Sequence, residues 1–446
     1  MSILSLHHIT IVCSSAQRTV DFYTRVLGLR LVKKTVNFDA PNTYHLYFGN
    51  EGAEPGSLVT FFEWPHASPG APGIGGTHHY ALHVADYDGL LMWKRRLVDL
   101  GVAVSGPLDR HYFTSLYIRD PDGTIVEIAT RGPGWTRDES ADALGTQHRA
   151  PPPEMLTGNR DKEKIQAATW PEPVPEIVAD MRLEQGIHHT AIGADIERTN
   201  DFFGGILGMR LVKRTNNFDD PNSFHWYWGV GEGRPGTLVT YFERKPDREK
   251  PVRMGTGQTH HFALAVADED AQLEWREKLI SAGIQVTPVM DRVYFKSIYM
   301  HDPDGHIVEL ATLGPGFAID ERAESLGETL RLPPWLEGRR ERIEAALHPV
   351  SSEPWRRSPQ ELRLAKYGDC RALRAGWAAS GSAAEDCGFS SRSRACRDDH
   401  GARARRERGK HSESRAGTGR GRILVRRPAG GGQLMVPEVL PRTDSE

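Results

Sequence analysis

Two adjacent histidines, His260-His261, open the apolar run Phe262-Ala263-Leu264, and further along Glu309 stands between Val308 and Leu310. The first half carries a near-copy: His78-His79 before Tyr80-Ala81-Leu82, then Glu127 between Val126 and Ile128. Two more pairs, His7-His8 and His188-His189, precede these. Two imidazoles and one carboxylate can hold one face of a divalent metal, and they leave positions for a substrate and O2. That donor set suits Fe(II). Side chains alternate along a strand, so each glutamate faces away from its apolar neighbours. A carboxylate turned toward a sheet interior is costly unless paired or metal-bound. A lone His-His pair in a strand is more often a core or surface feature. Four pairs, with two glutamates at equivalent ends of their units, point to metal. Because strand neighbours point to opposite faces, one histidine of each pair is expected as ligand and the other as its support.

Other residue types that could do chemistry lie close by. Arg292 and Tyr299, with Arg110 and Tyr117 as their first-half equivalents, could bind a phenolate. The competing reading of Arg292 is a surface residue paired with Asp291. His45 and His225 match each other in Tyr44-His45-Leu46-Tyr47 and Phe224-His225-Trp226-Tyr227. They are candidates for a pocket lining or for ordinary core positions.

The elements that position these residues are duplicated. Val26-Leu27-Gly28-Leu29-Arg30-Leu31-Val32-Lys33-Lys34-Thr35 returns as Ile206-Leu207-Gly208-Met209-Arg210-Leu211-Val212-Lys213-Arg214-Thr215. Asn37-Phe38-Asp39 returns as Asn217-Phe218-Asp219. Residues 1–150 and 184–345 are therefore expected to be copies of one domain, joined by a Pro- and charge-rich linker over 151–183. Each half divides again. A strand from Leu6 is followed by a helix over 16–27 and strands near 29–35, 43–49 and 58–63. A strand over 79–84 is followed by a helix over 89–100, where Leu90, Leu91, Trp93, Leu97 and Leu100 have helical spacing. Strands near 102–104, 113–118 and 124–129 complete the unit, and Asp120-Pro121-Asp122-Gly123 makes a turn. The expected class is α+β, built from four βαβββ modules.

Residues 351–446 hold 20 Lys+Arg and 12 Asp+Glu, which leaves 36 and 47 of the chain's 56 and 59 to residues 1–350. An acidic body argues against a nucleic-acid surface. No apolar run is long enough for a membrane span, and no basic segment with an apolar core opens the chain. Three of the 4 cysteines lie in the tail and only Cys13 in the body, so no disulfide framework exists and a cytoplasmic location is expected. The tail over 346–446, rich in Arg, Ser, Ala and Gly, is expected to be disordered. Its stretch Gln433–Arg442, shifted by one base, resembles a segment of carboxylesterase-like hydrolases, as a frameshifted remnant would.

Four βαβββ units with His/His/Glu positions resemble the vicinal oxygen chelate superfamily. The stretch Val26–Gly49, Asp291-Arg292 with Tyr294-Phe295 and Ser297-Ile298-Tyr299, and Glu309-Leu310-Ala311-Thr312 are similar to its hydroquinone-type ring-cleaving dioxygenases, often described as glyoxalase-like. The resemblance spans residues 4–345. It implies iron held by His8, His261 and Glu309, with Mn(II) as an alternative ion, and supporting or catalytic roles for His7, Thr10, His260, Arg292 and Tyr299. It also implies that the first and fourth units share a pocket. A second candidate set, His79, Glu127 and His189, departs from the family pattern. It is either a pseudo-symmetric site or a relic of duplication. Pairing within halves would instead give His8/His79/Glu127 and His189/His261/Glu309. The implied activity is an Fe(II)-dependent extradiol-type dioxygenase that opens a hydroquinone or catechol with O2, in a protein that self-associates. The alternatives are a metal-dependent lyase or isomerase of the glyoxalase type and a non-catalytic protein that sequesters a small aromatic.

Overall fold

The computed structural model describes residues 1–183 and 186–351. The expectations for the tail lie outside the described residues. Among the described residues, sixteen strands follow the module order. The first module supplies β1 (Ser5–Cys13), β2 (Arg30–Asn37), β3 (Ala40–Gly49) and β4 (Leu58–Glu63). The second supplies β5 (Gly76–Val84), β6 (Ser105–Asp109), β7 (Thr114–Arg119) and β8 (Ile125–Thr130). The third supplies β9 (Ile187–Gly193), β10 (Arg210–Asn216), β11 (Phe224–Gly229) and β12 (Leu238–Glu243). The fourth supplies β13 (Thr259–Val266), β14 (Met290–Asp291), β15 (Lys296–His301) and β16 (Ile307–Thr312). The α+β architecture of four βαβββ modules is thus present.

The strands form two eight-stranded sheets, ordered β14-β15-β16-β13-β1-β4-β3-β2 and β10-β11-β12-β9-β5-β8-β7-β6. Modules one and four build the first sheet, and modules two and three the second. This resolves the pairing that spacing alone left open. In the first sheet β1 runs antiparallel to β13, and β13 runs parallel to β16. His8, His261 and Glu309 therefore lie on three adjacent strands, about 4.8 Å apart from one to the next.

Each long helix starts on an aspartate that caps its first turn. Asp86 accepts from Gly89 N at 2.9 Å for the helix Tyr87–Asp99, and Asp268 accepts from Ala271 N at 2.9 Å for Glu269–Ser281. Trp93 and Trp275 anchor these helices in the main apolar core, with Phe262, Leu264, Val308 and Leu310 of the sheet. The strand expected over 102–104 is not there. Val102 N instead bonds Leu97 O at 2.9 Å and closes the helix, so pairing begins only at Ser105. The helix expected over 16–27 changes pitch: Ala16–Val20 is α-helical and Asp21–Val26 is a π-helix. Among the described residues no helix is long and apolar enough to cross a membrane.

Candidate metal centre

The strand register explains how three donors from distant parts of the chain meet. Ala263 on the central strand faces His8 on one side and Glu309 on the other, and His261 lies two residues earlier on the same face. The methyl group of Ala263 leaves the space between the flanking side chains open. Val308 and Leu310, flanking Glu309, point into the main core, as alternation requires. His8 Nε2 lies 3.2 Å from His261 Nε2, and Glu309 Oε2 lies 3.4 Å from the first and 3.1 Å from the second. All three residues are buried. Glu309 Oε2 is buried yet accepts no hydrogen bond despite these two close nitrogens. A cation between the three atoms would satisfy it, and the donor set fits a borderline divalent ion. The other oxygen, Oε1, accepts a short hydrogen bond from Ser297 Oγ.

Each ligand-type histidine leans on another. His8 Nδ1 is 2.9 Å from His7 Nδ1, and His261 Nδ1 is 2.8 Å from His260 Nδ1. If Nε2 of His8 and His261 keeps its lone pair for a metal, Nδ1 carries the proton and donates to the neighbour. Strict alternation forbids such contacts between sequence neighbours, and the sheet breaks it with bulges. The pairing of β1 with β13 jumps over His7 and over His260, which puts both members of each pair on one face. The expectation that neighbours point apart fails at these two pairs for that reason.

It holds at the fourth pair. β9 passes through Ile187 and His188 without a register shift, so His189 turns to the opposite face. There it stacks on Phe262 with ring centroids 4.2 Å apart and bonds Thr77 Oγ1 at 2.8 Å. The second cluster therefore comprises His79, Glu127 and His188, in place of the expected His189. Matching Thr190 with Thr10 in the sequence would have aligned His188 with His8. Ala81 repeats the part of Ala263, opposite both His188 and Glu127. Alanines between large apolar neighbours were the available signal for both positions.

Burial works against the Glu309 carboxylate's charge, but the His8 and His261 imidazoles overcome it and hold the group well below the usual carboxylate range. Burial, then His8, brings His7 down to about 3, and burial, then His261, does the same for His260. Burial raises Tyr299 above its ordinary value, though Arg292 opposes it. Arg292 Nε donates to Tyr299 Oη at 3.2 Å, and its Nη1 meets Asp39 at 3.2 Å rather than Asp291. Asp291 instead accepts from Val293 N at 2.7 Å. Val293 has φ +67°, a left-handed conformation that costs a β-branched residue about 1–3 kcal/mol. Its neighbours lock the turn, with Arg292 N on Phe295 O at 3.0 Å and Tyr294 N on Arg292 O at 2.8 Å. Thr10 bonds Thr60 at 2.8 Å, and His45 Nε2 joins Thr60 at 3.0 Å beneath the cluster. His225 repeats this contact with Thr240 at 2.9 Å and lines the pocket of the second cluster.

These neutral buried histidines make a pH prediction. Below pH about 6.5 the unfolded chain takes up protons that the folded chain refuses. Stability should therefore fall as pH drops from about 6.5 toward 3. His83 and His306, each brought down to about 3 chiefly by burial, contribute. By proton linkage each such group costs about 1.4 kcal/mol at pH 5.5 relative to pH 7.5. Thermal melts of the chelator-treated protein at the two pH values measure the loss, and His306→Gln should flatten the slope.

The sequence matches the Glyoxalase/Bleomycin resistance protein/Dioxygenase superfamily over residues 5–128 and 186–310. The chain belongs to this superfamily. It is 33% identical over 348 residues to MhqO of Bacillus subtilis, provisionally named a ring-cleaving dioxygenase, which covers 78% of this chain and 96% of that one. It is 31% identical over 342 residues to the chlorohydroquinone/hydroquinone 1,2-dioxygenase of Sphingobium indicum, covering 75% and 92%. A solved Bacillus subtilis structure, also provisionally titled a dioxygenase, superposes with a TM-score of 0.64 at 32% identity, covering 79% of this chain and 99% of that one. The superfamily is metal-dependent, and the two clusters fit that requirement.

Proposed function

We propose that the protein is an Fe(II)-dependent, extradiol-type dioxygenase that opens the ring of a hydroquinone- or catechol-type aromatic with O2 at His8, His261 and Glu309. Ring-cleaving dioxygenases among the relatives support an oxygenase, and the named hydroquinone enzyme supports the substrate class. The observation that carries the reading is the unsatisfied Glu309 Oε2 facing two imidazole nitrogens, with Arg292 and Tyr299 alongside. Three donors per cluster also fall short of the four that a lyase of the glyoxalase type would typically use.

The bound iron would supply open ligand positions and the electron needed to activate O2. The protein's own groups then divide the remaining work. Burial works against the Arg292 charge, but its contacts with Tyr299 and Asp39 outweigh burial, so Arg292 stays cationic and offers charge to a phenolate. Tyr299 stays protonated at neutral pH and acts as the hydrogen-bond donor or acid. His260, neutral and accepting on Nδ1, orients His261 and keeps an Nε2–H to offer the substrate. His7 fixes His8 in the same way. Phe295 packs on both His7 and His8 with centroids 4.8 and 5.4 Å away, and Phe62 packs on His260 at 5.4 Å. These rings keep water from the donors.

Iron content after anaerobic Fe(II) loading, followed by O2 uptake with hydroquinone and with catechol, tests the proposal. Iron without uptake on either substrate would overturn it. Tyr299→Phe should keep its iron yet lower kcat by about 100-fold or more, the usual worth of a positioned acid. An unchanged kcat would remove Tyr299 from the chemistry.

A further inference from the structure

The second sheet carries a cluster that the proposed chemistry does not use. His79 Nε2 lies 2.8 Å from Glu127 Oε2, and His188 Nε2 lies 3.3 Å from the same oxygen. All three residues are buried. We propose that His79, Glu127 and His188 form a second divalent-metal site, complete in its own right, for an ion of the class held by the first. The proposal rests on reading the first cluster as a metal site.

A relic of duplication would be expected to keep whichever residues happened to survive. This cluster keeps a supporting shell assembled from different strands. Support for His79 comes from His78, with Nδ1 atoms 2.8 Å apart across the bulge in β5. Support for the other imidazole cannot come the same way. β9 lacks the bulge that brings His7 beside His8, and Ile187 occupies the preceding position. His83 takes over from the neighbouring strand, with Nε2 3.0 Å from His188 Nδ1. In β13 the residue matching His83 is Ala265. The first site thus has a histidine from β1 and an alanine on β13, and the second has an isoleucine on β9 and a histidine from β5. The same support is delivered from opposite sides.

The carboxylate is supported differently as well. Tyr117 donates to Glu127 Oε1 at 2.9 Å, where Ser297 serves Glu309. Arg110 Nε donates to Tyr117 Oη at 3.2 Å. A cavity opens on the cluster, lined by His78, His79, Arg110, Tyr117, Asn217 and Phe242. Its mouth is held by the linker: Arg160 and Thr157 bond Asp219 at 2.7 and 2.8 Å, and Asp219 pairs with Arg110 at 2.9 Å. At the first site the matching Asp39 side chain is 60% exposed, against 9% for Asp219. The aspartate beside the second site is therefore the more enclosed of the two.

Anaerobic titration of the full chain with Fe(II), and with Mn(II) read by electron paramagnetic resonance, tests the proposal after gel filtration and metal analysis. The expected result is about two ions per chain for the wild type, one for Glu127→Gln, one for Glu309→Gln and none for the double variant. One ion in the wild type, kept by Glu127→Gln and lost by Glu309→Gln, would overturn the second site and leave the first intact. One ion lost by Glu127→Gln and kept by Glu309→Gln would support the second site and overturn the first. No ion at all would overturn both. His188→Gln provides an independent variant if Glu127→Gln does not fold. His83→Ala should weaken only the second ion's affinity, by about 10- to 100-fold, and equal binding of both ions would remove His83 from this positioning role.

Discussion

Glu309→Gln should abolish iron binding at the first cluster and cut ring-opening turnover by at least about 100-fold, since altering even a residue behind the ligands costs 10- to 100-fold in affinity or activity. The substitution keeps the shape of the side chain and removes its charge. Ser297 can still bond the amide oxygen, so the strand β16 has no reason to shift. The effect on stability separates this role from a structural one. Without metal the wild type holds a buried carboxylate oxygen that faces two imidazole nitrogens and accepts no hydrogen bond, and a buried charge left in that state costs stability. The apo variant should melt at the same temperature as the apo wild type, or higher. With metal at 100 times its dissociation constant, a single site stabilises the folded state by about 2.7 kcal/mol. The variant should lose the share of that gain belonging to its own site. Melting curves with and without Fe(II) under nitrogen measure it. A variant that melts well below the apo wild type would make Glu309 a structural residue and remove it from the metal reading.

Much of this site was legible in the chain, and the rest was hidden for a physical reason. The glutamates could be located because Val308, Leu310, Val126 and Ile128 mark which face is core. The βαβββ order followed from helical spacing around Trp93 and from turns such as Asp120–Gly123, where Gly123 does take a positive φ of 92°. Two features could not be read. Bulges at His7, His78 and His260 add one residue to a strand without changing its composition, so alternation gave the wrong face for the first histidine of a pair. The absence of a bulge in β9 then made His188 the donor and sent His189 into the core. Contacts across modules were also invisible. Nothing near His188 in sequence announces His83, and nothing near Arg292 announces Asp39. The pairing of module one with module four appeared only through the family resemblance, because local periodicity carries no information about which sheet edge a module meets.

Lys33→Met should destabilise the protein by about 3–5 kcal/mol, the usual cost of breaking a buried ion pair from one side. Lys33 lies on β2 and is fully buried. Its ammonium donates to Asp320 at 2.7 Å, to the Phe317 carbonyl at 3.0 Å and, through a short contact, to Glu321. It also sits 4.6 Å over the Tyr294 ring. The Glu321 side chain is 1% exposed, and its remaining partners, Thr329 Oγ1 at 3.3 Å and Arg331 Nε at 3.5 Å, lie on Oε1, so the Oε2 that faces Lys33 loses its donor and water cannot take over. The segment that bears these partners follows β16 and crosses to the far edge of the same sheet, where Arg331 N bonds Lys34 O at 2.9 Å. The pair thus ties the fourth module to the first, beside the apolar cluster of Tyr47, Ala263, Phe295 and Phe317 that backs the metal donors. Methionine fits the volume of the lysine stem, which confines the loss to charge. Urea unfolding should show a lower midpoint at an unchanged slope. Adding Glu321→Leu should recover most of the loss, because removing both charges leaves an apolar contact where a buried carboxylate oxygen had lost its donor. Lys213, with Asp138 and Glu139, repeats the arrangement in the second sheet and serves as the internal comparison. A loss below about 1 kcal/mol, the range of exposed pairs, would show that solvent reaches Glu321, and that this buried pair does not tie the two modules together.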